Sequence, residues 1–211
     1  MCYLFTPWFF TKNSFTEAQK LMKLTYDKRK VAALVKKSQQ GDSAAFGEIY
    51  DTFVDAIYRY VFYRVKNDEV EDLVEIVFLK AWENINKYKK GKYPFSAWLF
   101  RIAHNLVIDY YRTSDKTTSL DEQLEETLVS YKREHQPLKR AEQQLNNDLL
   151  FAALNQLKKP YHDFIVLKFV NGFSNEEIAK ILEKRESSLR VMQFRALKEL
   201  KKMLEHYDIS T

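Results

Sequence analysis

The sequence has little of the residues that build disulfide-bonded, metal-binding or glycine-rich catalytic folds. Its 211 residues include one cysteine, Cys2, so neither an intramolecular disulfide nor a thiolate metal cluster can form. The four histidines are widely spaced and lack the short ligand spacings of a metal site. Neither a glycine-rich phosphate loop nor a nucleophile elbow is present. These absences favour a binding protein over an enzyme, and we expect no metal and no cofactor.

Glycine and proline are also scarce, with four residues of each. Together with 45% hydrophobic and 30% charged residues, this composition favours a mostly helical protein over a β-rich one. No stretch approaches the roughly eighteen consecutive apolar residues that a membrane-spanning helix requires. We therefore expect one or two compact helical domains in a cytoplasmic protein.

Charge is unevenly distributed along the chain, although the net charge of +5 is modest. Residues 184–202 hold seven basic and two acidic side chains, whereas residues 113–136 hold six acidic and three basic ones. An acidic connector between basic regions indicates two nucleic-acid contacts separated by a segment that avoids the duplex. A solvated linker would have the same composition, so the connector alone does not decide between these interpretations.

The segment from 87 to 112, KYKKGKYPFSAWLFRIAHNLVIDYYR, combines six Lys or Arg residues with seven aromatic ones. Basic side chains bind phosphate, and flat rings stack on bases that have left the duplex. The pattern predicts a loop with Gly91 at its apex, followed by a helix. The apolar stripe of this helix contains Phe95, Trp98, Leu99, Ile102 and Leu106. Its second surface contains Arg101, His104, Asn105, Ile108, Asp109, Tyr111 and Arg112. A core helix with a basic rim would show a similar pattern.

The preceding helix, predicted from about residue 69 to 86, has two apolar stripes. The first contains Leu73, Ile76, Val77, Ala81 and Ile85. The second contains Val74, Phe78 and Trp82, with Asp72 and Glu75 beside it. One stripe is enough for the core of a small bundle. The second stripe is either more core or a docking face for another protein.

The C-terminal third has the pattern of a helix-turn-helix. Ser174 and Glu177 form a predicted capping box that opens a short helix, and a polar break at 183–186 precedes a longer basic helix. Second helices of this kind meet base edges in the major groove near their starts. The candidate DNA-contacting residues are Lys184, Arg185, Ser187, Ser188, Arg190, Val191, Phe194 and Arg195. An ordinary pair of packed helices has the same periodicity, but the density of basic residues favours DNA binding.

In their order along the chain, these motifs resemble bacterial RNA polymerase sigma factors of the extracytoplasmic-function (ECF) group. The resemblance covers about residues 31–205 and rests on GDSAAFGEIYDTF, EDLVEIVFLKAW, YPFSAWLFRIAHNLVIDYYR, FSNEEIAKIL and LRVMQFRALKEL. It implies an all-α fold of two small helical domains joined by a flexible acidic linker, the C-terminal one a helix-turn-helix. It also implies a non-enzymatic protein that binds the polymerase core and directs promoter-specific transcription initiation.

The resemblance divides the chain into four segments. These are a leader over 1–30, a region-two-like domain over 31–112, the acidic linker over 113–137 and a region-four-like domain over 138–207. Capture of the unpaired minus-ten strand is implied for Lys87, Lys89, Lys90, Lys92, Tyr93, Asn105, Asp109, Tyr110 and Arg112. Contact with the polymerase clamp is implied for Asp72, Glu75, Phe78 and Trp82. The helix-turn-helix candidates would bind the minus-thirty-five element as duplex.

The implied partners are the polymerase core, promoter DNA in duplex and single-stranded form, and an anti-sigma factor, with no small-molecule substrate. The alternative function is a helix-turn-helix regulator that binds DNA without the polymerase core. The aromatic helix argues against this alternative, because a protein that binds only duplex has no use for a base-stacking surface.

Three positions depart from the family pattern. Glu75-Ile76 stands where a Gln-Glu pair is usual, so one of the expected polymerase contacts would differ from that of the family. Glu183-Lys184 occupies the turn of the helix-turn-helix, where a glycine or another small residue is usual. Arg185 stands where a serine usually caps the second helix, which moves the predicted cap to Ser187.

The N-terminal leader is apolar but lacks a basic n-region and a small-residue cleavage site, so it is a poor signal peptide. Its exposed aromatic residues would be a liability in a cytoplasmic protein. They are Phe5, Trp8, Phe9, Phe10 and Phe15. We expect either that translation begins at Met22, or that this leader folds onto a partner such as a membrane-bound anti-sigma factor.

Overall fold

The computed structural model describes residues 26–65, 67–91, 93–117 and 152–208, and these form helices and turns without strands. Two helical domains, one before and one after the segment 118–151, pack against each other. Most of the expected leader and acidic linker lies outside the described residues. No helix within the described ranges has the length and apolar character needed to cross a membrane.

Within the described residues, the first domain contains four α-helices. They are α1 (Lys28–Ser38), α2 (Ser43–Phe62), α3 (Val70–Asn84) and α4 (Phe95–Thr117). The fold begins before the expected domain start at 31, because the Asp27 carboxylate accepts hydrogen bonds from the first backbone N–H groups of α1. Asp42 caps α2 in the same way, accepting from the Ala45 N–H at 2.9 Å, as the Gly-Asp-Ser sequence predicts. Helix α4 continues beyond Arg112, the expected end of the domain.

Helix α2 lies at the centre of the first domain. Its inward residues Ile49, Phe53, Ile57 and Tyr60 recur at helical spacing and are fully buried. The Phe53 ring lies 5.0 Å from that of Tyr26 and 5.9 Å from that of Phe95. Tilted contacts of this kind add to the free energy of burying the rings.

Both apolar stripes of α3 enter the core, because α3 packs against α2 on one side and α4 on the other. From the second stripe, Val74 and Phe78 are buried along with Leu73 and Val77 of the first. Ile76 was predicted to be core, and this prediction is wrong. Its side chain is 38% exposed since it points away from both neighbouring helices.

The second domain begins, within the described residues, with a helical turn at 152–155. It continues with α5 (Lys159–Ile165), a π-helical turn (Val166–Val170), α6 (Asn175–Ile181) and α7 (Glu186–Asp208). Pro160 lies in the first turn of α5, where its missing N–H costs little. The capping box of α6 is confirmed: the Ser174 hydroxyl accepts from the Glu177 N–H at 3.2 Å, and the Glu177 carboxylate accepts from the Ser174 N–H at 2.9 Å.

The turn between α6 and α7 differs from the prediction in one respect. Helix α7 begins at Glu186, so Ser187 lies inside the first turn, and the predicted cap at Ser187 is wrong. The Ser188 hydroxyl instead donates to the Arg185 carbonyl at 2.6 Å. Glu183 has φ of 53°, the left-handed conformation that favours glycine. A side chain there costs about 1–2 kcal/mol.

The two domains meet along α4 through apolar contacts. The Phe100 ring packs edge-on against the Phe173 ring, with their centroids 4.6 Å apart, and both side chains are buried. Helix α6 packs along α4, and the π-helical turn contacts α2. Helix α4 is therefore buried on two sides, by its own domain and by the second one.

Charged groups also join the domains. Buried Arg64, just after α2, forms an ion pair with Asp163 of α5, and its guanidinium lies 5.9 Å from the centre of the Tyr60 ring. The Tyr60 hydroxyl lies 3.0 Å from Nδ1 of His104 on α4. Closer to the solvent, Arg101 of α4 pairs with Glu183 in the turn before α7. The interface thus combines apolar packing with ion pairs and a hydrogen-bonded pair of polar side chains.

Two histidines in this network are held neutral. Burial lowers the pKa of His104 to about 4, and the positive charges of Arg64 and Lys184 act in the same direction. Burial likewise lowers the pKa of His162 to about 3, with Arg64 adding to the effect. Both imidazoles are therefore uncharged at neutral pH.

Ser174→Ala should lower the free energy of unfolding by about 1 kcal/mol, because the variant leaves one end of the capping box without its acceptor. Ser187→Ala is the matched control, since Ser187 is equally exposed but does not cap a helix. We expect that control to change stability by less than about 0.5 kcal/mol. Urea denaturation followed by circular dichroism measures both, and equal losses would contradict the observed start of α7.

Stability should fall as the pH is lowered, because the folded pKa of His104 lies below the unfolded value of about 6.5. Between these two pKa values the His104 imidazole is protonated in the unfolded chain but stays neutral in the folded chain. The stabilisation present above pH 6.5 is therefore lost as the pH falls towards 4. Between pH 7 and 5, wild type should lose about 2 kcal/mol more than His104→Gln. Urea titrations at each pH measure this difference, and parallel pH profiles would contradict it.

Candidate nucleic-acid interface

The second half of α4 presents a narrow polar face. Asn105, Asp109 and Arg112 follow each other at helical spacing and are all exposed. The Asp109 carboxylate lies 3.2 Å from the Arg112 guanidinium, which holds both groups on this face. Half-buried Tyr110 borders it, with its ring edge-on to that of Tyr111 at 5.4 Å. An amide, a carboxylate and a guanidinium can bind base edges, and an adjacent ring can stack on a base.

The basic loop precedes α4. Lys87, Lys89 and Lys90 are exposed, and Gly91 has φ of 97°, in keeping with its predicted place at the loop apex. Lys92 lies outside the described residues. A hydrogen bond joins the two ends of the loop, since the Tyr88 hydroxyl donates to the Tyr93 carbonyl at 3.0 Å. The exposed ammonium groups are suited to phosphate contacts.

The predicted minus-ten residues therefore form two patches on one helix and its approach. The loop lies at the start of α4, whereas Asn105 lies ten residues beyond Phe95, about 15 Å along the axis. The loop can contact a backbone while the polar face contacts bases further along the same strand.

Three residues expected on the exposed surface of α4 are covered by the second domain instead. His104 is buried, and Arg101 is half-buried in its pair with Glu183. Tyr111 is covered from both domains: its hydroxyl donates to the Arg64 carbonyl of the first domain, and the Lys159 ammonium of the second lies 4.5 Å from the centre of its ring. The burial of these residues could not be predicted from the sequence, because the pattern of one helix does not show that another domain covers one of its faces.

The start of α7 has a different surface. All eight helix-turn-helix candidates are exposed, and Leu189, Ala196 and Leu200 on the opposite face of α7 are buried. Phe194 is 70% exposed and Val191 is 51% exposed, which is unusual for large apolar side chains. Since Arg190 and Arg195 lie beside them, this face combines cations with apolar groups. Such a face suits a major groove, where guanidinium groups bind guanine or phosphate and apolar groups contact thymine methyls.

The polymerase candidates on α3 divide into exposed and supporting residues. Asp72 and Glu75 are exposed. Phe78 is only 4% exposed, with its ring 4.6 Å from that of Tyr50. Half-buried Trp82 packs edge-on against Phe46 at 5.0 Å.

The sequence reasoning missed the exposed apolar residues of α3, Ile76 and Leu79. Leu79 is 57% exposed and lies between the acidic residues and the end of the helix. One feature of the sequence could have indicated that Leu79 is exposed: it is apolar but belongs to neither apolar stripe. Within the described part of the chain, no group of His, Cys, Asp and Glu side chains could hold a metal ion.

Comparisons with known proteins match both domains. The sigma-70 region 2 family matches residues 49–117, and the sigma-70 region 4 family matches residues 147–200. The ECF sigma factor BldN of Streptomyces coelicolor is 32% identical over 84% of this chain and 67% of its own length. The ECF sigma factor SigX of Bacillus subtilis is 31% identical over 76% of this chain and 84% of its own length.

Solved structures share the fold. CnrH, solved with the cytosolic domain of CnrY, superposes with a TM-score of 0.63 at 23% identity, covering 85% of this chain and 99% of CnrH. RpoE from Bartonella quintana, solved with the anti-sigma factor NepR, gives a TM-score of 0.59 at 23% identity, covering 76% and 96% of the two chains. With two family regions in order and relatives above 30% identity, the chain belongs to the ECF sigma factors of RNA polymerase, initiation factors that are not enzymes.

Proposed function

We propose that the protein binds the RNA polymerase core in the cytoplasm and directs initiation by binding the minus-thirty-five element with α7 and the minus-ten element with α4 and its loop. The observation that carries the proposal is the presence of two exposed surfaces of different chemistry on one chain. One surface is polar and aromatic, and the other is basic and apolar. A polar and aromatic surface suits unpaired DNA, because it can bind the edges of bases and stack on their faces. A basic and apolar surface suits duplex DNA, because cations bind phosphate or guanine and apolar groups contact thymine methyls.

The minus-ten role is supported by the groups on α4. An unpaired base offers its full edge to the Asn105 amide and the Asp109 carboxylate, and its flat face to Tyr110. The ammonium groups of Lys87, Lys89 and Lys90 would hold the backbone of the same strand. Lys92 and Tyr93 remain proposed members of this site, the first outside the described residues and the second half-buried.

The minus-thirty-five role is supported by the start of α7. Lys184 and Arg185 in the turn, with Ser187 and Ser188, are exposed where a helix-turn-helix meets the phosphate backbone. The four residues that follow would lie in the major groove. They are Arg190, Val191, Phe194 and Arg195.

For the polymerase clamp we propose a contact through α3. Asp72 and Glu75 supply negative charge, and Ile76 and Leu79 supply exposed apolar area beside it. A charged rim around an apolar centre is the usual composition of a protein–protein interface. Half-buried Trp82 remains a proposed contact, and buried Phe78 would support this surface from beneath. An anti-sigma factor is a further proposed partner, since RpoE, which has this fold, was solved with one.

The function is tested by transcription on duplex promoters and on templates already melted across the minus-ten element. Wild type with core should give specific start sites on both, and no transcript without core. Asn105→Ala should reduce transcription on duplex templates about tenfold or more and on melted templates far less, because the amide acts on an unpaired base. Asn175→Ala, in the second domain, is the control.

Equal loss on both templates would place Asn105 in packing or polymerase binding instead. Specific duplex binding without core, together with no transcript in its presence, would favour the alternative of a regulator that acts without polymerase.

Arg190→Ala should weaken holoenzyme binding to the minus-thirty-five element by about 1–3 kcal/mol and relax the preference at one base position, if the guanidinium contacts a base edge. Binding to a library of upstream sequences measures both effects. Lys36→Ala, which removes an exposed charge in the first domain, is the matched control. A uniform loss on all sequences with a shallower salt dependence would mean a phosphate contact only, and unchanged binding would exclude this face.

A further inference from the structure

We infer that Gln39 is a positioning residue for the basic loop: its side-chain amide holds the backbone at the start of the loop in the arrangement that binds an unpaired strand. Gln39 directly follows α1, a helix that supplies none of the proposed DNA contacts. The inference rests on the proposed function, in which the ammonium groups of the loop hold the backbone of the minus-ten strand.

The hydrogen bonds of Gln39 are the first argument. Its side chain is half-buried, and its Nε2 group donates to the Ile85 carbonyl and to the Tyr88 carbonyl, both at 2.9 Å. An amide nitrogen carries two N–H donors, so both are used here. Because both partners are carbonyl oxygens and cannot donate, the nitrogen and not the oxygen of the Gln39 amide must face them.

The two carbonyl groups lie where the chain leaves α3 for the basic loop. Helix α3 is followed by a 3₁₀ turn (Ile85–Lys87), which ends with the Tyr88 N–H donating to the Ile85 carbonyl at 3.1 Å. Carbonyl groups at the end of a helical segment lack donors from a following turn. Gln39 supplies donors from a position 46 residues before Ile85. One amide that bridges both carbonyls fixes the direction in which the chain enters the loop.

Tyr88 connects this amide to α4. While Gln39 holds the Tyr88 backbone, the Tyr88 ring packs edge-on against Phe95 at 5.3 Å and lies 5.6 Å from the Trp98 ring. Its side chain is buried, and its hydroxyl makes the bond that joins the two ends of the loop. The position of the loop relative to α4 therefore depends on how Tyr88 is held.

A second contact reaches the far side of the loop from the other end of α1. The Tyr26 hydroxyl, just before α1, lies 2.7 Å from the Ser96 hydroxyl in the first turn of α4. The Tyr26 ring also packs against Phe53 in the core of the domain. Contacts from both ends of α1 thus flank the loop, one before it and one after it.

A fixed start of the loop matters because its cations are exposed. Lys89 and Lys90 follow Tyr88 directly, and a loop that is already arranged loses less conformational freedom on binding a strand. Gln39→Met keeps the length of the side chain but has no N–H donor. If the loop of this variant is correctly arranged about one tenth of the time, its apparent affinity for the strand falls about tenfold.

The test measures binding of the holoenzyme to single-stranded DNA that spans the minus-ten element of a promoter that it transcribes. Gln39→Met should bind this strand about tenfold more weakly than wild type. Gln39→Glu should lose at least as much, because a carboxylate has no N–H donor and is repelled by both carbonyl oxygens. Gln40→Met, at the exposed next residue, is the matched control and should bind like wild type.

Two further measurements separate positioning from general stability. Binding to a duplex that carries only the minus-thirty-five element should be unchanged in each variant. In the free protein, the backbone amides of residues 86–91 should exchange with solvent faster in Gln39→Met, while those of α2 exchange as in wild type.

A double-mutant cycle shows whether Gln39 acts through the lysines. In a chain that carries Lys89→Ala and Lys90→Ala, Gln39→Met should cause little further loss of strand binding, because the groups that it positions are gone.

Wild-type strand affinity in Gln39→Met or Gln39→Glu would overturn the inference. So would additive losses in the cycle, an equal loss on the upstream duplex, or unchanged exchange of the loop amides. Failure of the proposed function gives a different result, in which the loop amides of Gln39→Met exchange faster but removal of Lys89 and Lys90 leaves strand binding unchanged.

Discussion

The rest of the structure depends on the burial of α4 from two sides. Leu99 and Val107 face the core of the first domain, while Phe100 packs against Phe173 of the second. A narrow strip of the second half of the helix is left for solvent, and Asn105, Ile108, Asp109 and Arg112 lie on it. Because a rigid, fully packed helix holds its exposed groups in fixed positions, this strip can bind an unpaired base with little loss of side-chain freedom. The same burial brings the two domains together, so DNA binding and domain packing involve the same helix.

Much of the fold could be predicted from the sequence because its signals are local. The caps at Asp42 and Ser174 each depend on residues within one turn of the chain, and the structure contains both. Predictions failed where burial depends on distant neighbours. Ile76 has the periodicity of a core residue, but the helices on either side of α3 leave it exposed. Ser187 has the chemistry of a cap, but α7 begins one residue earlier.

The candidate site was predictable to the same extent. The exposed strip of α4 and the exposed start of α7 follow from helical spacing and from the distribution of charge. The interdomain network does not, because Arg64 and Asp163 lie in different domains and neither has a distinctive sequence context. An isolated helix pattern likewise cannot show that Arg101 and His104 face another domain. Only the packing of α6 along α4 reveals it.

The interface between the domains combines apolar and charged groups. Phe100 packs against Phe173, and the π-helical turn, whose Val166 and Leu167 are fully buried, contacts α2. The Arg64–Asp163 pair is buried beside these contacts. Burying an ion pair contributes little net stability, since desolvation offsets most of the Coulomb attraction. The free energy that holds the domains together therefore comes mainly from the apolar contacts, while the ion pair restricts how the two domains can be oriented.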